Sequence, residues 1–189
     1  IRPHFFFNTL NTVASLIMVD PDKAEHLLLD LAQLFRAVLK NDDSLIPLAQ
    51  EIELGRRYLA IEQVRLGEQR LRVQWHLPES LPSLQVPQLL LQPLLENAVY
   101  HGIQPATEGG YIHIGLTPAG SDWCLTIRNS RAHSGSEAGN RMAQDNIRAR
   151  LAMLGGNAGL QLDANAAEYC ATLMLPATLP AIKPVRETL

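Results

Sequence analysis

The chain has few of the residues that mark secreted, nucleic-acid-binding or membrane-spanning proteins. Its 189 residues include only two cysteines, Cys124 and Cys170, which are too few for a disulfide scaffold and favour a reducing compartment. The net charge is -3 without any block of one sign, so direct binding to nucleic acid is not expected. No apolar run approaches the roughly 20 residues that a bilayer-spanning helix needs.

Apolar residues make up 47% of the chain, which is enough for the hydrophobic core of one ordinary domain and a smaller structural element beside it. It begins at Ile1 without an initiator methionine. We therefore expect a piece of a longer protein, in which an upstream region could carry a membrane anchor and a sensor.

The first 45 residues predict a helical hairpin. Apolar residues recur at spacings of four and three in both helices: Phe6, Leu10, Val13 and Ile17, then Leu27, Leu31, Leu34 and Val38. Between the two helices, Asp20-Pro21 offers an N-cap followed by a proline at the first helical position. Two such helices bury too little alone, so we expect them to pair with a second copy as a four-helix bundle.

The rest of the chain mixes helices and strands without a βαβ repeat, which predicts an α+β sandwich with helices on one face of a mixed sheet. Helices are predicted from Pro47 to Leu66, closed by Gly67, from Gln88 to Gly102 and from Met142 to Leu154; strands are predicted at 71–77, 111–117, 123–129, 160–163 and 169–175. We expect a hairpin domain over 1–45, a second domain over 46–178 and a loosely ordered tail over 179–189.

His4 is the first residue that could carry chemistry. In a regular helix its side chain would point roughly 145° away from the apolar seam, on the face that it shares with Asn8 and Asn11. An accessible imidazole can accept a phosphoryl group. An ordinary solvated surface histidine is the alternative.

The second candidate is the apolar helix that ends at Gly102. Asn97 and His101 are four residues apart and therefore adjacent on one face. An amide oxygen suits Mg²⁺, which usually brings substrate phosphates with it, and a histidine can donate to a phosphate oxygen. Pro93 should kink the helix one turn earlier. The alternative is a pair of ordinary polar residues on a helix edge.

The third candidate is the polar loop 130–140 and the helix that follows it. Gly135, Gly139 and Arg141 precede a helix start, where free N–H groups favour phosphate. Two glycines do not make a phosphate loop, so a plain surface loop is the simpler interpretation of this segment by itself.

Together these segments resemble a known family. Residues 3–11, Pro-His-Phe-Phe-Phe-Asn-Thr-Leu-Asn, look like the P-H-F-L-F-N-x-L-N signature of LytS-type sensor histidine kinases. Residues 91–102 resemble the N box of the ATPase domain shared by histidine kinases, gyrase, Hsp90 and MutL (the GHKL domain). Residues 146–151 resemble its N-x-x-x-R-L lid motif, and residues 51–65 its linking helix.

This resemblance implies a protein-histidine kinase that uses ATP and Mg²⁺. By position, His4 would be the phosphoacceptor, Glu96 would polarise it, Asn97 would bind Mg²⁺ and His101 would contact phosphate. The remaining nucleotide-binding residues that the resemblance implies are Asn129, Gly139, Arg141 and Asn146.

The sequence departs from the family pattern in two places. Asn129 replaces the usual aspartate that accepts from the adenine amino group, and it can still accept that bond without charge assistance. Before the last helix, Gly139-Asn140-Arg141 keeps one of three usual glycines. Asparagine at the adenine position is similar to a subgroup that includes the alginate-regulating sensor AlgZ.

The implied function is the kinase core of a two-component sensor: autophosphorylation on His4, then transfer to an aspartate of a response regulator of the LytTR DNA-binding type. The implied setting is a homodimer on the cytoplasmic side, with the parent protein anchored in the inner membrane. A degenerate kinase, which binds a regulator but turns over little or no ATP, is the alternative. A nucleotide-driven switch like Hsp90 fits poorly, because Pro93 replaces the acidic residue that it requires.

Overall fold

A computed structural model describes residues 3–39, 44–131 and 141–177, with the side chains of 141–143 left out of the description. Within these ranges the α-helices are α1 (Pro3–Leu16), α2 (Pro21–Leu39), α3 (Leu48–Leu66), α4 (Gln92–Asn97) and α5 (Arg141–Ala152). A π-helical turn, Ala98–Ile103, directly continues α4. None of the helices in the described ranges is long and apolar enough to cross a bilayer.

The strands form one large and one small sheet. They are β1 (Leu45–Pro47), β2 (Leu71–His76), β3 (Gln85–Pro87), β4 (Gly110–Ala119), β5 (Asp122–Ser130), β6 (Gly159–Ala164) and β7 (Glu168–Leu175). The five-stranded sheet has the order β2-β4-β5-β7-β6, in which β2 and β4 are parallel and the other neighbouring pairs are antiparallel. The small sheet consists of β1 and β3, which are antiparallel. The predicted α+β sandwich with a mixed sheet is confirmed.

Burial alternates along the central strands, as expected for a sheet covered on one face. Along β4, Ile112, Ile114 and Leu116 are buried, and their neighbours in sequence are only partly covered. The covering layer comes from α3 and the α4 region, whose Ile61 and Leu95 are fully buried. The end of α3 is also as predicted, since Gly67 terminates it with φ of 95°, a conformation that favours glycine.

The helical hairpin is formed, but its first seam differs from the prediction. Asp20 caps α2 as expected, because its Oδ1 accepts from the N–H of Lys23 at 3.1 Å. The buried residues of α1, however, are Phe5, Thr9 and Val13, rather than the set that begins at Phe6. The reason is that α1 packs on α3 as well as on α2; the ring of Phe5 lies 5.0 Å from that of Tyr58. Ile17 follows the end of α1 and is exposed.

The hairpin also exposes many large apolar side chains. Those with at least a third of their surface accessible are Phe7, Ile17, Met18, Val19, Leu28, Leu29, Phe35 and Leu39. Within α2, Leu28, Phe35 and Leu39 follow spacings of seven and four and so share one face. Exposed apolar side chains that share one helix face are typical of an interaction surface.

The helix predicted from Gln88 to Gly102 differs in two respects. Its α-helical part begins only at Gln92, because residues 88–91 form a turn in which Leu89 has φ of 58°. Pro93 lies in the first helical turn, where no hydrogen bond is lost, and so it helps to start the helix rather than kink it. The loop containing Gly135 and Gly139 and the predicted tail lie outside the described residues, apart from the loop's first two positions.

Candidate functional site

A cavity of about 250 Å³ lies where α1, α3 and the α4 region meet. His4 lines it from α1, Glu62 and Arg65 line it from α3, and Glu96 and Tyr100 line it from the α4 region. His4 is exposed, as the sequence predicts. Its imidazole therefore opens onto a partly enclosed space that also contains two carboxylates, rather than onto bulk solvent alone.

The two carboxylates of this cavity are held differently. Glu96 accepts a hydrogen bond at 3.1 Å from Nε2 of Gln92, one turn earlier in α4. Glu62 is almost fully buried and is paired with Arg65, three residues later in α3. Burial raises the pKa of Glu62, the Arg65 guanidinium opposes that rise, and the nearby Glu96 charge adds to it.

Asn97 and His101 stand on either side of a change in helix type. Asn97 is the last residue of α4 and is buried, and His101 lies half-buried in the π-helical turn. A π-helical turn has more residues per turn than an α-helix, and such turns are frequent at functional sites. The predicted adjacency of the two residues assumed an α-helix throughout, so the π-helical turn changes their relative rotation.

Gly102 brings this helix against the end of β5. A β-carbon at Gly102 would lie 2.3 Å from Nδ2 of Asn129 and 2.6 Å from the backbone oxygen of Ser130. No side chain fits such a gap. The close approach of Gly102 therefore joins the segment that carries Asn97 to the strand that carries Asn129.

Asn129 has an unusual hydrogen-bonding state. It is 3% exposed, and its Nδ2 donates to the backbone oxygen of Ser130 at 2.8 Å. Its Oδ1 is buried and has no hydrogen-bond partner among the described residues. A buried acceptor left in this state costs free energy, so this oxygen is suited to receive an N–H group from a ligand.

The remaining predicted residues lie in or before α5. Asn146 is exposed on α5, Gly139 lies outside the described residues, and the side chain of Arg141 is not described. Further along α5, Nη1 of Arg150 donates at 2.5 Å to the backbone oxygen of Gln88. This contact connects α5 to the turn before α4.

Sequence reasoning missed Glu51, which the structure places at the base of the α4 region. It is buried, and its two oxygens accept from the N–H groups of Leu89 and Leu91 at 2.9 and 2.8 Å. Burial raises its pKa to about 7, against the lowering effect of these bonds and of Arg150. One signal was available: Glu51 and Glu62 both occupy positions on the apolar seam of α3, with Leu48, Gly55 and Tyr58.

The arrangement offers limited means of holding a metal ion by protein groups alone. No group of three or more His, Cys, Asp or Glu side chains in the described part of the chain could hold a metal. The amide oxygen of Asn97 is a hard donor that suits Mg²⁺, and Mg²⁺ is usually bound by one or two protein oxygens together with substrate phosphates and water. The donor set therefore fits a magnesium ion that arrives with a phosphate ligand.

Comparison with known proteins shows which family the sequence resembles. A family model described as "Histidine kinase" matches residues 1–71. The chain is 34% identical over 172 residues to the sensor protein LytS of Oceanobacillus iheyensis and 33% identical over 167 residues to the sensor histidine kinase YpdA of Escherichia coli. Each match covers 82% of this chain, and the chain spans only 29% of the length of each relative.

Solved structures support the fold. The histidine kinase AdeS of Acinetobacter baumannii matches with a TM-score of 0.53 over 86% of this chain and 83% of its own, at 15% identity. The histidine kinase domain of a blue-light activated kinase of Erythrobacter litoralis matches with a TM-score of 0.52 over 87% of this chain and 80% of its own, at 16% identity. At such identities the likeness shows the fold alone, which is that of histidine kinase catalytic domains.

Proposed function

Because this chain belongs to the LytS-type sensor histidine kinases, we propose that it is a kinase core that transfers a phosphoryl group from ATP to His4 and then to a response-regulator aspartate. The observation that carries the proposal is the shared cavity of His4 and Glu96. Glu96 directly precedes Asn97 in the chain, so the acceptor imidazole lies beside the helix that would hold the magnesium-bound phosphates.

In this proposal Glu96 polarises the imidazole. A carboxylate that accepts the proton of one ring nitrogen makes the other nitrogen a better nucleophile. The hydrogen bond from Gln92 holds Oε1 of Glu96 and so orients the carboxylate within the cavity that it shares with His4. Bound Mg²⁺ would neutralise charge on the phosphates, which is the main requirement of phosphoryl transfer.

Asn129 and α5 complete the proposed nucleotide site. The buried Oδ1 of Asn129 would accept from the adenine amino group, and Asn146 would contact the nucleotide from α5. His101 would donate to a phosphate oxygen, and Gly139 and Arg141 would lie near the phosphates, as the family resemblance implies. Among these assignments, that of Asn129 has the most direct structural support.

Labelling with radioactive γ-phosphate tests the proposal. The wild-type chain with ATP and Mg²⁺ should acquire acid-labile label, whereas His4→Gln should acquire none although it still binds nucleotide. Asn97→Ala should lose both labelling and magnesium-dependent nucleotide binding. His26→Gln is the matched control, because His26 is an exposed histidine on α2 whose ring bonds to the backbone of Asp22. Label that persists in His4→Gln would refute the assignment.

One observation favours a second function. Asn129 provides an uncharged acceptor where the family uses an aspartate, and such a bond is weaker than a charge-assisted one. A degenerate kinase would bind a response regulator through the hairpin and turn over little ATP. Tight regulator binding by a wild-type chain that acquires no label would support this alternative.

The proposed setting is a homodimer of a membrane-anchored sensor, with this chain on the cytoplasmic side and a regulator of the LytTR type as its partner. The hairpin, 1–45, would supply the dimer contact through the apolar face of α2, and 46–178 would bind ATP. Light scattering should therefore show Leu28→Lys with Leu39→Lys as a monomer. Met153→Lys, an exposed apolar residue beyond α5, should leave the dimer intact.

A further inference from the structure

Gln88 lies where the hairpin, the turn before α4 and α5 come together. Its side-chain Nε2 donates to the backbone oxygen of Ala37 at 3.1 Å, in a buried bond. Ala37 lies near the C-terminal end of the described part of α2. Gln88 therefore connects this part of α2 to the turn before α4.

The backbone of Gln88 is held from two other directions. Its N–H donates to the backbone oxygen of Ser44 at 3.2 Å, in the segment that leads from α2 to β1. Its carbonyl oxygen accepts from Nη1 of Arg150 at 2.5 Å. A single residue thus contacts both the hairpin side of the chain and α5.

The next residue, Leu89, adopts an unfavourable backbone conformation. Its φ of 58° is left-handed, and it is the one non-glycine residue in the described ranges with a positive φ. A side chain is strained there, and such strain persists only where neighbouring contacts enforce it. Here the N–H of Leu89 is bound by the carboxylate of Glu51 at 2.9 Å.

Glu51 extends this restraint to α4. Its second oxygen accepts from Leu91, the residue immediately before α4, at 2.8 Å. Glu51 is 1% exposed, and the positive charge of Arg150 favours its ionised form. Buried carboxylates are uncommon because they lose hydration, so the bonds to Leu89 and Leu91 and the charge of Arg150 must compensate.

From these contacts we propose that Arg150 is a positioning residue, which transmits the position of α5 through Gln88 to the C-terminal part of α2. In the same arrangement Glu51 holds the turn 88–91 and the start of α4 in place. The inference rests on the proposed function, in which α5 carries a nucleotide contact and α1 carries the acceptor. Nucleotide binding would then orient the hairpin through α5 and the turn 88–91, in addition to the contact with His4 that phosphoryl transfer itself requires.

Amide hydrogen exchange with and without ATP and Mg²⁺ tests this coupling independently of catalysis. In the wild-type chain, nucleotide should slow exchange of the peptides that cover 86–91 and the last turn of α2. In Arg150→Met the nucleotide should still bind, and this protection should be lost. Arg148→Met is the matched control: Arg148 lies on the same helix, is exposed and pairs with Asp145. It should behave as wild type.

His4 phosphorylation supplies a second readout. Because a displaced reacting group lowers the rate without necessarily weakening substrate binding, Arg150→Met should slow labelling about tenfold or more while the nucleotide dissociation constant changes less than about threefold. Arg150→Lys, which keeps the charge, should recover part of the rate. Glu51→Gln should slow labelling in the same way, and Glu53→Gln, an exposed residue of the same helix, should not.

The outcomes separate this inference from the function on which it rests. A wild-type chain that binds no nucleotide would overturn both. Nucleotide binding with equal protection in wild type and Arg150→Met would overturn the inference alone. A dissociation constant that rises in parallel with the loss of rate would also overturn it, because Arg150 would then be a nucleotide contact.

Discussion

Nε of Arg65 lies 2.9 Å from Oε2 of Glu62, and Nη2 of Arg65 donates to the same oxygen. The carboxylate is 2% exposed, and the guanidinium is mostly covered as well. This pair forms one wall of the cavity that His4 enters. The ionic state of this pair therefore affects both the stability of α3 and the electrostatic surroundings of His4.

Removal of one partner of the Arg65–Glu62 pair should lower the stability of the fold. Arg65→Met leaves the Glu62 charge buried without its counter-ion, so the free energy of unfolding should fall by about 3–5 kcal/mol. Urea denaturation measures the change. Arg148→Met, which breaks an exposed pair, should cost less than about 1 kcal/mol. The double variant Arg65→Met with Glu62→Gln should be more stable than Arg65→Met alone. Equal destabilisation by Arg65→Met and Arg148→Met would contradict this account.

Glu51 should make stability depend on pH. Its folded-state pKa of about 7 lies above the ordinary value of 4.5, so the folded chain binds the extra proton between these values. The Glu51 contribution is therefore fully present below pH 4.5 and is lost as the pH rises through about 7. Each pKa unit corresponds to about 1.4 kcal/mol, so the whole effect is on the order of 3 kcal/mol.

Urea denaturation of wild type and Glu51→Gln at pH 5 and pH 8 measures this dependence. Glutamine cannot titrate, so the stability of wild type relative to the variant should fall between the two pH values. Glu53→Gln, at an exposed position of α3, should follow wild type. A difference between wild type and Glu51→Gln that stays constant across this range would show that Glu51 keeps an ordinary pKa.

Gly102→Ala should damage the proposed nucleotide site. The added methyl group would lie 2.3 Å from Nδ2 of Asn129, so the π-helical turn and β5 must separate. Overpacking of this kind costs about 1–3 kcal/mol, which corresponds to about fivefold to 150-fold in ATP affinity if the strain falls on the site. Isothermal titration measures the affinity. Gly159→Ala is the control: a β-carbon there would lie 3.9 Å from the backbone oxygen of Asn157, an ordinary contact, so ATP affinity should be unaltered.

Asn129 should select the base through its free oxygen. Because Nδ2 already donates to Ser130, the side chain presents an acceptor, which suits the amino group of adenine. The chain should therefore bind ATP more tightly than inosine triphosphate, which has a carbonyl in place of that amino group.

Asn129→Leu removes the acceptor and should abolish this discrimination, with ATP affinity reduced about tenfold. Competition against a fluorescent nucleotide measures all of these affinities. Asn165→Leu is not an equivalent control, because its Oδ1 bonds two backbone N–H groups. Asn157→Leu is suitable, since Asn157 is exposed beyond α5 and its Nδ2 donates to Asp122 at 3.3 Å, away from the candidate site. Equal binding of both nucleotides by wild type would refute the assignment.

The sequence was most informative where structure depends on local contacts. The cap at Asp20 and the helix end at Gly67 are determined by neighbouring residues, and both are confirmed. The strands predicted at 111–117 and 123–129 are present as β4 and β5, and burial alternates along β4 because side chains of a strand point to opposite faces.

Predictions were less accurate where distant segments decide the structure. The seam of α1 is rotated because Phe5 packs against Tyr58 of α3, a contact that helix periodicity cannot reveal. The turn at 88–91 is non-helical although its residues suit a helix, because Glu51 and Arg150 bind its backbone from other helices. Asn129 was identified by motif position, whereas its unpaired oxygen depends on the surrounding fold.

The π-helical turn after Asn97 makes the length of this segment a property of the site. Deletion of one residue between Ala98 and Ile103 would allow a regular α-helix to form and would leave the residues beyond it at nearly the same rotation, because the π-helical turn takes up one extra residue. The deletion would instead shorten the spacing between Asn97 and the residues after it, and so change which side chains share a face with Asn97. Engineering here, or grafting of this segment onto a related scaffold, must preserve residue count as strictly as residue type.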